Sequence, residues 1–134
     1  MKLAHGIAAL GLAAAGPAAA HHSFAMFDSN KVITIEGAVK TFEWSNPHAE
    51  VVVMGGPAGT APKLWSLELT SPSNLLRMGW SKRALKPGDR VTVELNPLRS
   101  GEAGGALRKA TLADGQVFST RLLAGGRADP PKEP

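Results

Sequence analysis

The sequence predicts a small, mostly β-strand domain of the OB-fold type, a five- or six-stranded barrel with one short helix. Apolar and polar residues alternate with period two over most of the chain, Gly, Pro, Asn and Asp separate these segments, and one short stretch has helical spacing instead. The order is three strands, a helix, then two or three strands, as in the OB-fold. A β-sandwich is the alternative, although it usually has more strands and no central helix.

The first three strands are predicted from this alternation. The first covers residues 31–44 and contains Gly37 near its middle. A glycine at that position favours a bulge or sharp bend, so we expect the strand to be broken there, as at the corner of a barrel. The turn at Asn46-Pro47 ends the strand, and the next two strands are expected over 48–54 and 64–69.

The helix and the remaining strands follow. The helix is predicted between Ser73 and Trp80, with Ser73 or Asn74 as its N-cap and Gly79 at its end. The spacing also allows one helical turn over 81–84. Further strands are expected over 90–95, where Asn96-Pro97 stops the strand, over 106–112, and over 116–122 after an Asp-Gly turn.

The N-terminal residues are typical of a cleavable signal peptide. Lys2 supplies the positive charge, and the apolar run over 3–15 is shorter than the roughly 20 residues that span a membrane. Ala18 and Ala20 are small residues at the positions that signal peptidase requires. We therefore expect cleavage near Ala20 and a mature protein in the periplasm or outside the cell.

The rest of the chain is expected to form one domain over 21–124, followed by a disordered tail over 125–134 that is rich in Gly, Pro and charge. There is no cysteine, which excludes disulfides, thiolate metal sites and thiol catalysis. The formal net charge is +4, but the basic residues are scattered, so we expect no nucleic-acid partner. We also expect no membrane span in the mature form, and the oligomeric state stays open.

Several short segments of the chain point to a known family. They are His21-His22-Ser23-Phe24, Phe27-Asp28, Glu43-Trp44-Ser45-Asn46-Pro47-His48, Gly79-Trp80, Leu85-Lys86-Pro87-Gly88-Asp89 and Asn96-Pro97-Leu98-Arg99. In this order and spacing they resemble the small exported bacterial proteins of the DUF6152 family. The resemblance implies export and a single small β-domain. It implies no reaction, because the function of that family is unknown.

The candidate metal ligands are the histidines His21, His22 and His48. Cleavage after Ala20 would let the free amine and Nδ1 of His21 chelate one ion, with an imidazole from His22 or His48 completing an all-nitrogen site. Such a site suits Cu(II) and is similar to the N-terminal histidine site of lytic polysaccharide monooxygenases. Cleavage one residue earlier would make His22 the third residue, which also binds Cu(II).

The metal hypothesis requires the N-terminal segment to fold back towards His48. Phe24 or Phe27 would fix this segment by packing on the barrel, and His21 or His22 would then approach His48. The alternative is a flexible polar start to the mature chain, with His48 beginning a strand and hydrogen bonding to the backbone or to Asn46.

Other functions have weaker signals. Trp44, Trp65 and Trp80 are expected mainly in the core, although Trp44 with Asn46 is also a candidate surface for a protein, peptide or glycan. The carboxylates near these motifs lack a spacing that defines a catalytic pair, so no catalytic residue is assigned. A mono-copper oxidase using the same histidines ranks last, and we do not expect an enzyme.

Overall fold

Six strands and one helix make up residues 24–120, the part of the chain that the computed structural model describes. After a 3-10 turn at Phe24–Met26, the elements are β1 (Ile33–Glu43), β2 (Glu50–Gly56), β3 (Lys63–Glu68), α1 (Pro72–Arg77), β4 (Arg90–Pro97), β5 (Gly104–Leu112) and β6 (Val117–Ser119). Within these residues, no helix is long and apolar enough to cross a membrane. The predicted signal peptide, His21, His22, and the C-terminal tail lie outside the described residues.

The strands form a closed barrel with the OB-fold order. Neighbouring strands follow the order β3-β2-β1-β4-β5, and a parallel pairing of β3 with β5 closes the ring. This closure involves only Ser66, Leu67 and Glu68 of β3, opposite residues 104–106. Strand β6 extends the same edge of β5 further along, opposite 109–111. The predicted β-barrel with one short helix is confirmed.

The bend of β1 differs in detail from the prediction. Strand β1 is not broken at Gly37: it pairs with β4 over 33–38 and with β2 over 36–43, and its register shifts between Val39 and Thr41. The irregularity therefore lies after the glycine. Gly37 instead allows a close approach of two strands, because a Cβ atom there would overlap the backbone of Met54 and Gly55.

Helix α1 also begins earlier than predicted. Its N-cap is Ser71, whose Oγ accepts a hydrogen bond from the backbone N–H of Asn74 at 3.4 Å. Pro72 occupies the first turn, where proline is favoured because its fixed φ is already helical and no N–H is needed. Residues 81–84 form a turn in which Ala84 N donates to Ser81 O, not the helical turn that the spacing allowed.

Strand β4 continues through Pro97, although Asn96-Pro97 was expected to stop it. Proline is tolerated here because no ladder hydrogen bond depends on its missing N–H at the strand end. Its carbonyl still accepts a hydrogen bond from Asp28 N at 2.8 Å. The last strand residue described, Ser119, precedes the predicted end of the last strand, and residues from 121 onward lie outside the described range.

The barrel interior is filled by the inward-facing side chains of all five barrel strands and by residues around α1. The core prediction is confirmed for Trp65 and Trp80, which are both buried, while Trp44 is half-buried and packs against the core. The largest fully buried side chains are Trp80, Ile35, Leu67, Leu75, Leu95, Val39, Val51, Val53 and Val93.

Candidate functional site

His48 lies in the corner between β1 and β2. Ser45 Oγ donates a hydrogen bond to the carbonyl of His48 at 3.1 Å, and the Asn46–Pro47 peptide bond is cis. The following residue, Ala49, is fully buried, and its backbone exchanges hydrogen bonds with the segment that continues β3. The corner is therefore tied to the barrel on both sides of the histidine, which positions His48 beside the end of β3.

The imidazole of His48 contacts a carboxylate from the neighbouring strand. His48 Nδ1 lies 2.6 Å from Glu68 Oε1, and the two side chains are 33% and 31% exposed. The register explains the contact: Glu50 of β2 pairs with Glu68, and His48 is two residues before Glu50, so it is the diagonal neighbour of Glu68. Within residues 24–120, Nε2 of His48 has no hydrogen-bond partner. This nitrogen is free to bind an external group.

The N-terminal segment is anchored on the barrel at Phe27. This residue forms a β-bridge with Leu98 and is only 6% exposed, so the expectation that Phe24 or Phe27 fixes the segment is confirmed for Phe27. The residues on either side are also bound: Asp28 N donates to Pro97 O at 2.8 Å, and Arg99 N donates to Met26 O at 2.9 Å.

Phe27 and Glu68 line the same cleft, which has a volume of about 700 Å³. The anchored end of the N-terminal segment and the carboxylate that holds His48 therefore border one opening in the surface. His22 precedes Phe27 by five residues, a length of chain that spans at most about 17 Å. His21 and His22 themselves lie outside the described residues, so their approach to His48 stays a prediction.

The other residues of interest are dispersed. Among residues 24–120, no three His, Asp or Glu side chains are grouped as a metal site would require. Asp28 lies 4.0 Å from Arg99 in a partly exposed ion pair, and Glu43 is exposed at the end of β1. Glu50 is also exposed. Asp28, Glu43 and Glu50, the carboxylates nearest to the histidine motifs in the sequence, are therefore not grouped around His48, whose carboxylate partner is Glu68.

Trp44 and Asn46 lie in the same corner as His48. The ring of Trp44 packs edge-on against Phe42, with 5.9 Å between ring centroids, and Phe42 in turn packs against Trp80. Asn46 is exposed. Trp44 is thus half-buried against the core, and the exposed Asn46 follows it two residues later in the chain.

Sequence reasoning missed Glu68. The signal that could have found it is the pairing of the second and third strands, because the correct hairpin register places a carboxylate diagonal to His48. The loop between these strands is long and contains Pro57 and Pro62, so its length does not determine the register.

Comparison with known proteins gives one match. The family model described as a family of unknown function, DUF6152, matches residues 10–108, a range that includes all three candidate histidines. No curated protein matches the chain, and no solved structure does.

Proposed function

We propose that this chain, which belongs to the DUF6152 family of unknown function, is an exported copper-binding protein. Its ligands are His48, through Nε2, and the N-terminal histidines His21 and His22. The observation that carries the proposal is the contact of 2.6 Å between His48 Nδ1 and Glu68 Oε1.

This contact is the one expected of a metal-binding histidine. A metal-bound imidazole usually donates its other N–H to a carboxylate, which orients the ring and raises the basicity of the ligating nitrogen. With Nδ1–H directed at Glu68, the lone pair of Nε2 is available for a metal. The pair is partly exposed, so an ion reaches it from solvent without an opening of the barrel.

The N-terminal segment supplies the remaining ligands in this proposal. Removal of the leader creates a free amine next to the imidazole of His21, and these two nitrogens chelate one ion. Phe27 anchors the segment at the cleft that Glu68 also lines, and the proposal requires the five residues before Phe27 to bring the terminus to His48. A set of three or four nitrogen ligands favours Cu(II), which also has the highest affinity among the common divalent metals.

A Cu(II) titration of the processed protein tests the proposal. We expect one equivalent to bind, and His48→Ala to weaken binding at least about tenfold because a ligand is lost. Glu68→Gln should weaken it by about 10- to 100-fold, because the orienting carboxylate is lost. Glu50→Gln is the matched control, since Glu50 lies opposite Glu68 but does not contact His48. The Cu(II) affinity of this variant should change less than about twofold.

A short peptide beginning His-His-Ser provides the reference for an isolated terminus. If the processed protein binds Cu(II) no more tightly than this peptide, His48 takes no part and the proposal is wrong. Electron paramagnetic resonance of the loaded protein should show nitrogen coordination that changes in the His48→Ala variant.

A second candidate function is recognition of a protein, peptide or glycan by the surface around Trp44 and Asn46. It is supported by the exposure of Asn46 and the partial exposure of Trp44, two residues before it in the same corner. The Cu(II) titration distinguishes the two candidates, because recognition by the surface around Trp44 and Asn46 requires no bound metal. A mono-copper oxidase would use the same histidines and ranks third, since it also requires a substrate surface beside the copper.

A further inference from the structure

We propose that the cleft beside Glu68 binds an amphiphilic carboxylate, a small molecule with one carboxylate group and an apolar body, and that Arg108 binds the carboxylate. The inference does not depend on the copper site. It rests on a separate observation: Arg108 lines the cleft and is half-buried, yet it belongs to none of the ion pairs formed among residues 24–120.

A β-bulge places Arg108 at the cleft. The register of β4 against β5 shifts between Glu94 and Leu95, which leaves Arg108 as an extra residue without a partner in β4. Bulges redirect side chains and are common beside binding sites. On the other edge of β5, the N–H of Thr120 donates to the carbonyl of Arg108 at 2.9 Å. The bulged residue is therefore held in place by Thr120, the residue that follows β6.

The neighbouring charges are already paired. The other charged residue that lines the cleft, Glu68, contacts His48, and Lys109 forms an ion pair with Glu94. Arg108, which is half-buried as a residue, thus has no carboxylate partner among residues 24–120. Its planar group of N–H donors binds a carboxylate through two parallel hydrogen bonds, which a lysine cannot reproduce.

Three of the four neutral polar side chains that line the cleft are also engaged within the fold. Asn96 Nδ2 donates to Lys31 O at 2.7 Å, and Thr120 Oγ1 donates to Leu107 O at 2.7 Å. Thr70 Oγ1 accepts from Asn74 Nδ2 at 3.1 Å. These contacts leave Arg108 as the charged donor that an incoming anion would meet.

The remaining walls of the cleft are apolar and call for an apolar ligand body. They include Phe27, Leu69, Met78 and Leu107. A volume of about 700 Å³ lies within the roughly 300–1,000 Å³ of sites for small organic molecules. This is more space than a bare anion such as phosphate fills. The combination of one unpaired guanidinium and apolar walls fits a carboxylate that carries an acyl chain or a ring.

Calorimetric titration of the metal-free processed protein with octanoate tests this site. Acetate supplies the carboxylate without the chain, and octanol supplies the chain without the charge. We expect octanoate to bind at least about tenfold more tightly than either. Arg108→Gln should weaken octanoate binding by about tenfold or more, while Lys109→Gln, the neighbouring cation that is paired with Glu94, should change it less than twofold.

Backbone amide chemical shifts provide a second readout that needs no variant. Octanoate should shift the amides of Thr70, Arg108 and Thr120, which surround the cleft. Equal binding of octanoate by a folded Arg108→Gln protein would overturn the proposal. So would equal affinities for acetate and octanoate, which would indicate a simple anion site, or shifts confined to residues away from the cleft.

Discussion

The indole of Trp80 joins two distant parts of the chain. Its Nε1–H donates to the carbonyl of Ser119 at 2.8 Å, in a buried hydrogen bond between residues 39 positions apart. The ring also packs against Phe118 and Phe42, at 5.0 and 6.1 Å between centroids. The segment after α1 is thereby attached both to β6 and to the first barrel strand, and the side chain is only 2% exposed.

Replacement of Trp80 by phenylalanine should destabilise the protein by about 2–4 kcal/mol. The variant loses a buried hydrogen bond and leaves a small cavity where the larger ring was. Trp44→Phe is the matched control, because Trp44 is half-buried and its Nε1 has no hydrogen bond within the described residues. It should cost less than about 1 kcal/mol. Denaturant unfolding of both variants measures the difference, and equal losses would contradict the role assigned to the hydrogen bond.

At the scale of elements, the contact between β1 and β2 depends on two facing glycines. Gly37 and Gly55 are register partners, and a Cβ atom on either one would overlap the backbone of the other strand. Strand β1 can therefore approach β2 closely at the position where it also begins to leave β4. The two backbones meet at this point because no side chain separates them, while the register shift of β1 lies further along, between Val39 and Thr41.

A Gly37→Ala substitution should therefore destabilise the barrel by at least about 2 kcal/mol, because backbone atoms of β2 would have to move. Gly56→Ala is a suitable control in the same hairpin. Its Cβ would meet the Thr60 Oγ1 side-chain atom at 2.8 Å, and a side chain adjusts more easily than a strand. We expect a loss below about 1 kcal/mol for the control, measured by thermal or denaturant unfolding. A similar loss for both variants would show that the close approach is unimportant.

Local patterns predicted most of these elements, and their failures have physical causes. Alternation of apolar residues located the strands, since each strand has one face in the core. The helix start was misplaced because Ser71 and Ser73 are equally good caps, and Pro72 in the first turn decides between them. The bend was misplaced because a strand glycine also occurs where another backbone approaches closely, as at Gly37.

At the scale of the whole molecule, long-range contacts were beyond prediction from local patterns. The barrel closes through three parallel pairs between β3 and β5, and no local signal marks such a short pairing. The contact of His48 with Glu68 and the bulge at Arg108 both depend on strand register. A hydrophobic pattern does not distinguish two registers that differ by two residues, because the same side chains then face the core. The candidate site was therefore predicted in part: His48 was singled out, but its carboxylate partner and the cleft were not.

The processing of the whole chain is the last prediction, because the proposed copper site requires a free amine at its terminus. Expressed with its own leader in a Gram-negative host, the protein should appear in the periplasm with a mature start at His21 or Ala20, as measured by intact mass and N-terminal sequencing. Large residues at both cleavage positions, as in the double variant Ala18→Phe and Ala20→Phe, should block processing without changing the barrel. The unprocessed form should bind Cu(II) more weakly, since the amine of residue 21 is then part of a peptide bond.

A soluble periplasmic form that retains Met1 would refute the export prediction. Equal copper affinity of the processed and unprocessed forms would instead show that the terminal amine is not a ligand.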